Sequence, residues 1–111
     1  MNKTIIRGYV YWVKLDPTIG SEIQKTRPAI IVSNNIQNEF SSRLIVIPVS
    51  SNINKIFSFE VKVMINNKES KALIDQIRTI DKSRLGSFIG VLSNNEMSSI
   101  DRIMRITLNL N

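Results

Sequence analysis

Apolar positions along this chain recur at more than one spacing, and each spacing predicts a different element. From Tyr9 to Leu15 they alternate, with Tyr9, Tyr11, Val13 and Leu15 on one face and Val10, Trp12 and Lys14 on the other, a strand stopped by Asp16-Pro17. Pro28 to Ser33 is an unbroken apolar run rich in β-branched residues, which predicts a second strand buried on both faces and entered through a proline suited to a strand start. Asn34-Asn35 breaks the pattern, a short helical turn is expected from Ile36 to Phe40, and Leu44 to Val49 forms a third strand ended by Ser50-Ser51-Asn52. Pro48 inside it suggests a bulge or an edge position.

Phe57 to Ile65 alternates again, with Phe57, Phe59, Val61, Val63 and Ile65 opposite Ser58, Glu60 and Lys62, as a half-exposed antiparallel strand does. Asn66 to Ser70 is expected as its turn. Ala72 to Ile80 is expected as one further strand, with Ile74, Gln76, Arg78 and Ile80 on one face. After a short strand at Phe88 to Leu92 the period changes to that of a helix: Met97, Ile100, Ile103, Met104 and Leu108 form one stripe. Ser93-Asn94-Asn95-Glu96 is the capping box that starts it. Five or six short strands and a closing helix predict a mainly β fold, a small antiparallel barrel with a C-terminal helix, occupying residues 1–111 as one domain.

Composition narrows the chemistry. The 111 residues contain neither Cys nor His, which excludes disulfides, thiolate metal sites and the usual neutral-pH acid or base. Any reaction must use Arg, Lys, Asp, Glu, Ser, Thr or Tyr, and no cofactor or metal is expected. Fifteen Lys and Arg against nine Asp and Glu give a net charge of +6, which favours an anionic partner. These charges are spread along the chain, so no polybasic tail explains them. Neither a signal peptide nor a membrane-spanning run is apparent, and a cytoplasmic location without membrane contact is expected.

One segment stands apart from the packing pattern. Asp16-Pro17-Thr18-Ile19-Gly20-Ser21-Glu22 and Lys25-Thr26-Arg27-Pro28 make a long polar loop between two packed strands. Such a loop adds surface without adding core, and loops of this kind commonly bind or catalyse.

Five blocks then agree in order and spacing: Tyr11 to Pro17, Gly20-Ser21-Glu22, Arg27-Pro28-Ala29, Asp75 to Asp81, and Ile89 to Ser93. Together they resemble the MazF/PemK toxins of bacterial toxin-antitoxin pairs, from about Arg7 to Leu110. The resemblance implies an SH3-like barrel, a homodimer, and metal-independent cleavage of single-stranded RNA at short sequences. It further implies silencing by an acidic antitoxin. A gyrase-binding toxin of the CcdB type shares the barrel but depends on a C-terminal Trp-Gly-Ile, where this sequence has Leu108-Asn109-Leu110-Asn111. A catalytically silent binding relative is a further alternative.

Arg27 heads the site residues that the resemblance implies. Alone, an Arg before a Pro need only solvate the entrance of a buried strand. As a catalytic group it stays charged at any working pH and offers a fork of donors matching phosphate oxygens. Ser50 holds the place where the family commonly has Thr; Ser51 is an alternative for the same hydroxyl. Glu22 is a candidate to take the proton of an attacking 2′-hydroxyl. Gly20, Ser21, Ser51, Gln76 and Arg78 are expected to contact RNA, although Gln76 and Arg78 would equally satisfy a barrel rim. The chain departs from the family pattern between Ser51 and Leu73, which is shorter than usual and lacks the Gly that commonly precedes the strand with Asp75-Gln76.

Overall fold

The computed structural model describes residues 4–23 and 25–111. Its elements are β1 (Tyr9–Lys14), β2 (Thr26–Ile31), α1 (Asn35–Phe40), β3 (Arg43–Ser50), β4 (Val61–Ile65), β5 (Lys68–Ala72), β6 (Arg78–Asp81), β7 (Leu85–Val91) and α2 (Asn94–Thr107). Short 3₁₀ turns occupy Ile74–Gln76 and Lys82–Arg84. Every strand pairing is antiparallel, in the order β4-β5-β3-β2-β1-β7, with β6 also on β3. The sheet curls until its edge strands approach each other: a Cβ placed on Gly90 of β7 would lie 3.3 Å from Asn66 Oδ1, just beyond β4. The mainly β architecture with a closing helix is therefore the one expected, with seven strands among the described residues in place of five or six.

Both faces of the central strands are buried, which explains the unbroken apolar run of β2. Ile30 and Val32 join Val10, Ile47, Val49, Val63, Ile100 and Ile103 in one cluster, while Ala29 and Ile31 join Tyr11, Val13, Leu15, Leu44 and Val46 in a second. Ile100 and Ile103 seat α2 on the first cluster, each contributing about 1.5–3 kcal/mol of apolar burial. Both halves of the predicted capping box form at the start of α2. Leu108, expected on the apolar stripe, is the helix C-cap and is exposed.

Pro48 lies in a central strand, neither at an edge nor in a bulge. β6 pairs with β3 from Arg43 to Val46, and β5 pairs with it from Val49. The Pro48 carbonyl accepts from Leu73 N–H at 2.9 Å on that side, so the missing N–H also faces the gap where one partner strand gives way to the next.

The structure corrects three expected elements. Phe57 to Glu60 is a turn rather than the start of β4: Glu60 N–H donates to the Phe57 carbonyl at 2.9 Å, and Phe57 N–H donates to Glu60 Oε1 at 2.9 Å. Phe57 and Phe59 are consequently exposed. The turn after β4 is only Asn66-Asn67, both with positive φ, as a two-residue hairpin requires, so Lys68 to Ser70 belongs to β5. Ala72 to Ile80 is not one strand; the 3₁₀ turn at Ile74–Gln76 separates β5 from β6, and Gln76 and Arg78 do not share a strand face.

Candidate active site

The antiparallel register places the candidate residues relative to one another. Ala29 pairs with Pro48 and Ile30 with Ile47. The paired stretch ends there, with Arg27, near the start of β2, and Ser50, the last residue of β3, each two residues beyond the Ala29–Pro48 pair. Ser50 in turn pairs with Lys71 of β5, and Lys71 with Lys62 of β4. Ser50, Lys71 and Lys62 therefore form a row across three strands on one face, with neighbouring strands about 4.8 Å apart, and Arg27 lies on β2 two residues beyond the last β2–β3 pair.

The cations in this row are not equivalent. Lys71 is nearly buried, with its Nζ 3.0 Å from Glu60 Oε1 and 2.8 Å from the Lys55 carbonyl. Lys62 is paired with Glu69 at 2.8 Å. Ser50 Oγ accepts from Asn52 N–H at 3.1 Å, which leaves the hydroxyl proton outside that bond. Arg27 also borders a cleft of about 310 Å³ lined by Trp12, Pro28, Ser51, Asn66 and Lys68 among others. Ser51 thus shares a cleft with Arg27, whereas Ser50 lies at the same end of the sheet, two residues beyond the last β2–β3 pair. Trp12 is 42% exposed in this cleft wall.

The polar loop is tied down at its base and is open at its tip. Leu15 N–H donates to the Lys25 carbonyl at 3.1 Å, and Lys25 N–H to Asp16 Oδ1 at 3.1 Å. Arg84 donates to the carbonyls of Lys14 and Asp16 at 3.0 and 2.5 Å. Arg78 Nη1 donates to the Leu15 carbonyl at 3.1 Å, and Gln76 Oε1 accepts from Ile23 N–H at 2.8 Å. Gln76 and Arg78 therefore spend at least part of their hydrogen-bonding capacity in holding the loop. Gly20, with φ of +61°, and Ser21 are exposed at the tip.

Glu22 N–H donates to the Ile19 carbonyl at 3.3 Å, and Glu22 Oε1 accepts from Ile19 N–H at 2.6 Å. One carboxylate oxygen thereby orders the loop, and the second lies outside that bond. Glu22 lines a smaller cleft of about 180 Å³ with Pro48, Asp75, Gln76 and Arg78. Pro48 lies two residues before Ser50 and so on the same strand face, which brings this cleft beside the Arg27–Ser50 end of the sheet.

Alternation in the sequence hides a further group. Phe57 and Phe59 read as inward positions of a strand, yet they stack in the open with ring centroids 5.3 Å apart and planes within 8°. Lys55 Nζ lies 4.7 Å from the Phe57 centroid, and Lys71 Nζ lies 5.8 Å from it. The available signal was Glu60, a carboxylate three residues after Phe57 that can close a turn on its N–H.

Residues 6–108 match the model of the PemK-like, MazF-like toxins of type II toxin-antitoxin systems. The chain is 38% identical over 112 residues to an Endoribonuclease MazF of Staphylococcus epidermidis, covering 96% of this chain and 93% of that protein. Among solved structures, MazF of Deinococcus radiodurans superposes with a TM-score of 0.88 at 22% identity, covering 98% of this chain and 100% of the other. A mycobacterial endoribonuclease in complex with its cognate antitoxin superposes with a TM-score of 0.78 at 24% identity, covering 100% and 98%.

Proposed function

The chain belongs to the PemK-like, MazF-like toxins of type II toxin-antitoxin systems, and from that membership we propose that it is an endoribonuclease toxin cutting single-stranded RNA at a short sequence. The observation that supports the site assignment is the β2–β3 register, whose last pair, Ala29 with Pro48, leaves Arg27 and Ser50 each two residues beyond it at the same end of the sheet. A guanidinium and a hydroxyl converging from two strands present preorganised donors to the non-bridging oxygens of one phosphodiester.

In this reading the ribose 2′-oxygen attacks the adjacent phosphorus. A bond from the 2′-oxygen to phosphorus forms, and the bond from phosphorus to the 5′-oxygen breaks. The 2′-hydroxyl proton passes to Glu22, a carboxylate whose service as general base depends on good placement. Arg27 stabilises the charge of the phosphorane and gives a proton to the departing 5′-oxygen, which leaves as a hydroxyl with Ser50 assisting, and Arg27 regains that proton from water. The products are a 2′,3′-cyclic phosphate, or the 3′-phosphate from its opening, and a 5′-hydroxyl. Gly20, Ser21, Ser51, Gln76 and Arg78 line the path of the RNA, the last two chiefly by positioning the loop.

Charge-based cleavage needs no bound metal. The absence of His and Cys from the sequence supports this reading, as does the lack of a convergent acidic group among the described residues. The positive surface suits both RNA and an acidic antitoxin. Edge strand β7 exposes Phe88 and Val91, and the C-terminal segment exposes Ile106 and Leu110, apolar surface that supports a homodimer.

Incubating the protein with a pooled RNA in EDTA, then sequencing and chemically assaying the new ends, tests the reading. Cuts at a recurring short sequence with cyclic or 3′-phosphate ends are expected. Intact RNA, or cleavage only after a divalent ion is added, would overturn it.

A further inference from the structure

We propose that the stacked Phe57–Phe59 pair is a nucleobase platform that extends the site at Arg27 and Ser50 and holds one base of the RNA on one side of the cut by stacking. The inference rests on the endoribonuclease reading above. Phe57 and Phe59 lie 42% and 39% exposed and stack on each other, which makes them an aromatic patch at the surface. They are also held in place. Glu60 accepts both from Phe57 N–H and from the Lys71 ammonium, and Lys71 reaches on to the Lys55 carbonyl, so a nearly buried ion pair fixes the turn from beneath.

The arrangement fits a base better than it fits an apolar protein segment. Phe57 is covered by Phe59 on one side and attended by Lys55 and Lys71 within 6 Å of its ring. Phe59 has no other ring or cation contact among the described residues, which leaves it as the outer surface of the stack. A flat π-face with an exposed ammonium beside it matches the two parts of a nucleotide, base and phosphate. An apolar segment would gain nothing from Lys55.

Continuity with the cleavage site comes from Lys71. It is the cross-strand partner of Ser50 and at the same time the cation beside Phe57. RNA held at Arg27 and Ser50 therefore has the platform one strand and one side chain away, within reach of a neighbouring nucleotide.

The test uses the full chain and an RNA oligonucleotide containing its cleaved sequence, with single abasic positions walked across it. Phe59→Ala should lower kcat/KM on the intact oligonucleotide on the order of 5- to 150-fold, the range expected for one stacked base. Phe59→Trp should retain activity, and Phe59→Leu should not. On the oligonucleotide abasic at the platform position, Phe59→Ala should cost nothing further. Circular dichroism and thermal unfolding establish that each variant is folded. Wild-type cleavage rates for folded Phe59→Ala, equal rescue by Leu and Trp, or the same penalty at every abasic position would overturn the platform while leaving the endoribonuclease reading intact. Weakened antitoxin binding with unchanged cleavage would do so too, by making the pair a protein contact. Failure of the wild-type chain to cut RNA would overturn both.

Discussion

The carboxylate of Glu96, at the start of α2, accepts from the backbone N–H of Met64 on edge strand β4 at 2.7 Å through Oε2, while Oε1 accepts from Ser93 N–H at 2.8 Å. One side chain thus closes the helix capping box and satisfies a donor on an otherwise open sheet edge. Burial alone would raise its pKa, but the Met64 and Ser93 hydrogen bonds outweigh that effect and hold it below the ordinary value.

Because the folded pKa is depressed, this stabilisation is fully present above the unfolded Glu pKa of about 4.3 and is lost as pH falls through the folded value. Glu96→Gln should cost about 1 kcal/mol at pH 7, the size of a lost cap. Denaturant unfolding of both proteins at pH 7 and pH 3 checks this. A gap that stays constant between the two pH values would disprove the assignment.

Lys71 and Glu60 have side chains only 11% and 7% exposed. Lys71→Met leaves the Glu60 charge buried without its partner and should destabilise the chain by about 3 kcal/mol. Adding Glu60→Gln keeps an acceptor for Phe57 N–H while removing the charge, so the double variant should recover most of the loss. A double-mutant cycle in urea measures the coupling, and additive losses would mean the pair does not act as a unit.

Arg27→Ala should lose at least about 10²- to 10³-fold in cleavage rate, the cost of one donor to transition-state charge. Ser50→Ala should lose less. Arg27→Lys keeps the charge without the fork and should recover only part of the activity. Single-turnover rates on one oligonucleotide decide the order, and a folded Arg27→Ala variant that cuts normally removes Arg27 from the mechanism.

Replacing the one ribose on the 5′ side of the cut with deoxyribose should abolish cleavage while binding persists. Gel electrophoresis of the labelled oligonucleotide is sufficient. Cleavage at the same bond would point to a water nucleophile.

An antitoxin fragment rich in Asp, Glu and large apolar residues should compete with RNA, and the competition should weaken as salt rises, because both ligands draw on the same positive surface. Fluorescence anisotropy of labelled RNA at several ionic strengths follows it. Simultaneous binding of both ligands would place them on separate surfaces.

Much of this molecule is local and was therefore legible in its sequence. The alternation of β1, the doubly buried β2 and the capping box of α2 depend on residues within a few positions of one another, and the pattern that encodes them survives folding. So does the placing of Arg27 at the entrance of a buried strand. The tertiary structure decided the rest, because it turns on partners far away in the chain. Phe57 to Glu60 alternates like a strand, but Glu60 finds Lys71 and closes a turn that exposes both phenylalanines. Ala72 to Ile80 alternates as well, yet Gln76 holds Ile23 N–H, Arg78 holds the Leu15 carbonyl, and a 3₁₀ turn separates the two strands. Alternation specifies which side chains share a face, but the strand register specifies which residues meet across it. The meeting of Ser50 with Lys71, and the pairing of Ala29 with Pro48 that brings the ends of β2 and β3 together, exist only once β2, β3 and β5 have paired.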